Sequence, residues 1–102
     1  MEVDRACVLV RRPRDAWEAS RSALGLLLEG IETRLFLLDA KVSLPQGKRE
    51  SDFQDTLEMI LDMGGEVFSN QDEDRERWPD MRRADLSETA QALRECDLVI
   101  PF

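Results

Sequence analysis

Histidine is absent from the 102-residue chain, and cysteine occurs only at Cys7 and Cys96. Without an imidazole there is no histidine general base to activate a serine, and the usual His/Cys donor sets for zinc cannot be assembled. The two cysteines are too few and too far apart in sequence to read as a disulfide framework or a metal site. No apolar run approaches the roughly 18 residues of a membrane span. The run near the N-terminus follows early acids and is too short for a signal-peptide core, so the expected location is cytoplasmic. Neither GxGxxG nor GxxxxGK[ST] follows that run, which leaves nucleotide phosphates without their backbone cradle. There is no internal repeat or low-complexity tract. No cofactor and no metal are expected.

Among the bases, lysine is scarce: twelve of the 14 are arginine, so clusters of them can offer planar, multi-donor contacts to carboxylate or phosphate. The 22 acids nevertheless outnumber them and give a net charge of −8. That field repels nucleic acid and anionic membrane, so neither is expected as a partner. At this length the chain is a single domain, 1–102, near the size at which a sheet profits from covering a face with another subunit. A homo-oligomer is expected.

What is present alternates between short apolar runs and amphipathic segments. Ala6 to Val10 is a continuous apolar run suited to a strand buried on both faces. Asp15, with Glu18 three residues later, reads as a capping box opening a helix through Trp17, Leu24, Leu27, Leu28 and Ile31, which stops near Gly30. Thr33 to Leu38 is the second strand, closed by Asp39, Ala40 and Lys41, with a Pro45 and Gly47 loop after it. Ser51, paired with Gln54, is expected to cap a second helix carrying Phe53, Leu57, Ile60 and Leu61 and ending at Gly64 and Gly65. Val67 and Phe68 centre the third strand. Ser69 to Asp80 reads as a long acidic loop, more a solvated surface than a metal site, with Trp78 as a packing anchor. Asp85 and Glu88 open a third helix with Leu86, Ala90 and Leu93 on its apolar face, and Leu98 to Ile100 forms the fourth strand.

The order βαβαβαβ predicts an α/β fold: a three-layer α/β/α domain around a small, mostly parallel sheet. An order of about 2-1-3-4 places the crevice between the first and third strands. It would bring Arg11, Arg12 and Arg14 near Ser69 and Asn70, with Asp39 closing the second strand. An anion could be held there by arginine and by a helix N-terminus.

Several features together resemble the DsrE/DsrF-like family of sulfur-relay proteins, including the TusD-like subunits. They are the apolar first strand, the Ala- and Leu-rich first helix, the proline-containing loop, the stretch Gly64, Gly65, Glu66, Val67, and the closing run Cys96 to Phe102. The resemblance covers nearly the whole chain and implies a three-layer fold, trimers or hexamers, and a partner in a sulfur-relay pathway. It also implies a persulfide-carrying cysteine just after the third strand. The matching stretch here reads Val67, Phe68, Ser69, Asn70, and a serine hydroxyl cannot form a persulfide. The implied role is therefore a non-catalytic module that binds a partner or a small anion. The alternative is a sulfurtransferase or sulfur carrier that uses Cys96 or Cys7. Cys7, inside the first strand, reads as a small buried hydrophobe. Cys96, ending a helix, sits where the dipole raises a thiol pKa.

Overall fold

The computed structural model describes residues 3–39 and 41–102. Met1 and Glu2 of the acid-bearing N-terminus, and Ala40 among the residues expected to close the second strand, lie outside that set. In chain order the elements are β1 (Arg5–Val10), a 3-10 turn (Pro13–Asp15), α1 (Ala16–Leu28), β2 (Glu32–Leu37), α2 (Glu50–Asp62) and β3 (Glu66–Ser69). They continue with α3 (Asp72–Arg77), β4 (Arg82–Arg83), α4 (Leu86–Glu95) and β5 (Leu98–Pro101). The five strands form one sheet in the order β4-β3-β2-β1-β5, and every pairing is parallel. This is the expected α/β fold, with helices packed on the sheet.

The strand order departs from 2-1-3-4. β2 sits between β1 and β3, pairing Val8 with Leu35 and Leu35 with Val67. From β1 to β4 the chain steps in one direction, then leaps back across the sheet to place β5 beside β1. Parallel crossovers are right-handed, so this reversal sends the last helix to the opposite face. The side chains agree. Val8, Val10, Leu35, Leu37 and Val67 join Trp17, Ala23, Leu27, Phe53, Leu57 and Ile60 of α1 and α2 in the larger core. The alternate residues Cys7, Leu9, Phe36 and Phe68 meet Ala92 and Leu93 of α4 in a smaller one.

Two of the three expected caps differ. At α1 the Asp15 carboxylate makes no cap bond and instead accepts from Arg12 Nε at 2.6 Å. The second helix starts at Glu50, one residue before Ser51, and the Asp52 carboxylate accepts from Arg49 N at 2.8 Å. That hydrogen bond leads the causes that lower the Asp52 pKa, because it favours the charged form. At α4 the expected box is present, with Glu88 N donating to Asp85 Oδ1 at 2.7 Å.

Ser69 to Asp80 is not a continuous loop. It contains α3, and β4 follows just beyond it; a two-residue strand carries too short a pattern to be seen in sequence. The acids Asp72, Glu73 and Asp74 fill the first turn of α3 and the bases Arg75 and Arg77 its last, the arrangement that suits the helix dipole. Asp74 is buried, and both carboxylate oxygens lie 3.1 Å from Val42 N. Burial raises its pKa, more than the Val42 N–H and nearby Arg77 lower it. A raised acid pKa means that the native state holds a proton which the unfolded state has released, so stability falls as pH rises from about 4. Asp74→Asn cannot ionise and keeps one acceptor. Its stability relative to wild type is expected to improve between about pH 4 and about pH 7 in paired urea titrations.

Gly65 lies where α1 and α2 come closest to the start of β3. An added Cβ would meet Leu27 Cδ1 at 2.7 Å and Ile60 Cγ2 at 2.8 Å. Gly65→Ala is expected to cost about 1–3 kcal/mol by overpacking, read as a lower denaturation midpoint with unchanged slope.

Cys7 and Cys96, 89 residues apart in sequence, are joined by a disulfide with Cα atoms 6.2 Å apart. This overturns the reading of two unrelated thiols. Pairing of β5 with β1 sets Leu98 beside Ala6, which brings Cys96, two residues earlier, against the strand that carries Cys7. Nothing in the local sequence encodes that long-range register.

Candidate functional site

The carboxyl ends of parallel strands carry outward-pointing loops, and ligands enter where the connection direction reverses. Here the reversal lies between β1 and β5, not between the first and third strands. Along this edge Asn70 follows β3, Asp39 lies just past β2, Arg11 follows β1 and Phe102 follows β5. Arg11, Arg12 and Phe102 line a crevice of about 290 Å³. Leu9, Arg11, Leu38, Asp39, Leu86 and Leu93 line a neighbouring cleft of about 520 Å³, within the usual range for a small-molecule site. Arg11 borders both.

The geometry singles out Asp39. Its φ of 54° is in the left-handed region, which costs a side-chain-bearing residue about 1–2 kcal/mol, least for Asp and Asn. Asn70 holds it there: Asp39 N donates to Asn70 Oδ1 at 2.8 Å, and Asn70 Nδ2 donates to Asp39 Oδ1 at 2.7 Å. The Asn70 backbone N–H continues the ladder to Leu37 O at 3.3 Å. A fixed carboxylate therefore lines the same cleft as a guanidinium that makes no ion pair among the described residues.

The remaining expected site residues divide. Arg12 is ion-paired with Asp15, and Arg14, in the 3-10 turn, is exposed and has no ion-pair partner among the described residues. Ser69 is buried on the face of α1 and α2; its Oγ accepts from Gln71 N at 3.0 Å, and its carbonyl accepts from Arg75 Nη1 at 2.7 Å. It shapes the entry to α3 and does not face the crevice. Because β2 intervenes, Arg11 shares its cleft with Asp39 rather than Ser69. The residues sequence reasoning missed are the apolar wall, Leu9, Leu38, Leu86 and Leu93, together with Phe102. Leu86 was legible only as part of an apolar helix face, yet it is 66% exposed, at the cleft rather than under the helix.

An arginine and a carboxylate lining one cleft with four leucines can orient a small polar group and shelter a short apolar body. No nucleophile-and-base pair is assembled there. Cys96, the alternative reactive residue, lies at the far end of α4 in the disulfide. Among the described residues, no group of three or more His, Cys, Asp or Glu side chains could hold a metal ion, and no helix is long and apolar enough to cross a membrane. Comparison with known proteins returned no matching family model and no similar curated sequence.

Proposed function

We propose that the chain is a non-catalytic binding module, related to the DsrE-like sulfur-relay subunits, that takes a small anion with a short apolar body at the cleft between Arg11 and Asp39. The observation that carries this reading is the Arg11 guanidinium, without an ion pair among the described residues, at the strand-order reversal, in the same cleft as a carboxylate held in a left-handed conformation by Asn70. Residues kept in sparsely populated conformations by surrounding bonds cluster at ligand sites. A homo-oligomer, a trimer or hexamer acting in the cytoplasm with a sulfur-relay partner, completes the proposal. It is supported by the edge strand β5, whose Leu98 and Val99 are 37% and 38% exposed, and by the single helix covering the second sheet face. The alternative, sulfur carriage on Cys96 or Cys7, requires the disulfide to open first, since a persulfide forms on a free thiol.

Calorimetric titration with hexanoate, and with thiosulfate as a sulfur-containing anion lacking the apolar body, tests the reading. Saturable hexanoate binding is expected, weakened about ten- to a hundredfold by Arg11→Ala, the size of a lost charge-assisted hydrogen bond. Equal binding by wild type and Arg11→Ala would contradict it. Sedimentation at micromolar concentration tests assembly, with a strict monomer as the contrary result.

A further inference from the structure

We propose that the Cys7–Cys96 bond is a thiol–disulfide exchange site, through which a neutral dithiol reductant unlatches α4 from the sheet. The two sulfurs differ in access: Cys7 is fully buried, whereas Cys96 is only partly so. An incoming thiolate therefore reaches Cys96, and access decides which sulfur is attacked. A small recess beside it is lined by Arg5 and Arg34 together with Glu32 and Glu95. That recess is about 10 Å³, room for no more than one water, so the dithiol reaches Cys96 from outside it; Arg5 is paired there with Glu32 and Arg34 with Glu66, and the mixed charges set no net barrier to an uncharged donor.

One donor thiolate forms a bond to Cys96 Sγ, the bond between the two cysteines breaks, and the electron pair leaves on Cys7 Sγ, which takes a proton. The Ala92 carbonyl, 3.8 Å from Cys7 Sγ, accepts the new S–H. The donor's second thiolate then attacks its own sulfur in the mixed disulfide and expels Cys96 as a thiolate. The donor ends as a disulfide and the protein as a dithiol.

Opening the bond has a local consequence because α4 is thinly attached. It buries only Thr89 and Ala92. Its start is fixed by the Asp85 cap, and the disulfide fixes its end. The following segment is held independently: the Asp97 carboxylate accepts from Asp4 N and Arg5 N, each at 3.0 Å, and Asp97 N donates to Arg5 O at 3.0 Å. β5 thus stays paired when the latch opens, and the helix alone is released. α4 walls the 520 Å³ cleft on one side and, on the other, a cleft of about 410 Å³ floored by the stacked rings of Phe36 and Phe68. Release of the helix changes both.

This inference does not depend on the anion reading, and its test uses other readouts. The oxidised chain is incubated with dithiothreitol without denaturant, trapped with iodoacetamide, and followed by intact mass and by hydrogen exchange. Expected are two alkyl groups per chain, a trapped mixed disulfide that maps to Cys96, and, in the reduced protein, amides of residues 86–96 exchanging faster by about tenfold or more than those of β1 and β5, which keep the protection set by global unfolding. A bond that resists until denaturant is added, a mixed disulfide at Cys7, or α4 amides that exchange no faster than those of β5 in the reduced protein would each overturn the proposal.

Discussion

Trp78→Ala is expected to lower the unfolding free energy by about 3–5 kcal/mol, the range for emptying a buried aromatic site. Trp78 is 1% exposed, although it stands in a charged segment between Arg77 and Pro79. Its ring meets Phe53 edge-on with centroids 4.8 Å apart, and the Arg77 guanidinium lies 4.2 Å above its other surface. The indole N–H donates to Glu50 O at 3.1 Å, which satisfies the buried indole and ties it to the start of α2. Trp78→Phe keeps most of the burial but loses that hydrogen bond, so a smaller loss of about 0.5–1.5 kcal/mol is expected. The effect should also reach the candidate site. Trp78 docks the end of α3, and Asp74 within α3 holds Val42, three residues beyond Asp39. Urea unfolding with an Asp39 amide-exchange readout checks both parts; unchanged stability would show that the ring is not packed as described.

Opening the disulfide should cost nearly as much. A cross-link spanning 89 residues restricts the unfolded chain, and the loop-entropy relation puts that at about 4–5 kcal/mol, with measured native bonds typically worth about 2–5 kcal/mol. The oxidised protein is therefore expected to unfold at a markedly higher urea concentration than the same protein in excess dithiol. The combined variant Cys7→Ala, Cys96→Ala should match the reduced form and lose all sensitivity to reductant. A midpoint indifferent to reductant would mean that the cysteines are unbonded in solution.

The α/β layering and every strand and α-helix but α3 and β4 were legible because each rests on a local pattern. Ala6 to Val10 and Thr33 to Leu38 are apolar runs short enough to be strands, and the α4 capping box declares itself at Asp85 and Glu88. Gly30 and Gly64 mark helix ends, and their φ values of 84° and 86° are the left-handed geometry that glycine adopts without strain. The order of strands in the sheet was not legible. It depends on which edge the last crossover reaches, and Leu98 to Ile100 would pair as readily with one strand as with another. The unseen disulfide follows from that choice, and the misplaced crevice from it together with the placing of β3 beside β2 instead of β1.

The candidate site was half legible for the same reason. Arg11, Asp39 and Asn70 were correctly assigned to strand ends, which local reading can do. Ser69 was grouped with them by proximity in sequence, but strand alternation turns it into the core with Leu37. The leucine wall was out of reach, because Leu9, Leu38, Leu86 and Leu93 come from three separate parts of the chain and each looks like ordinary core. α3 was hidden by its own composition: six residues all charged carry no apolar stripe, and the helix is held by Asp74 and by Trp78 just beyond it.

The most direct test of the claim that the Arg11 and Asp39 edge is the ligand site is a ¹H–¹⁵N NMR titration with hexanoate. The account predicts saturable shifts confined to Arg11, Leu38, Asp39, Asn70 and the Leu86 to Leu93 stretch of α4, moved to about ten- to a hundredfold higher ligand concentration in Arg11→Ala and unchanged in Arg21→Ala. Shifts scattered over exposed arginines such as Arg21, failing to saturate and unchanged in Arg11→Ala, would contradict it.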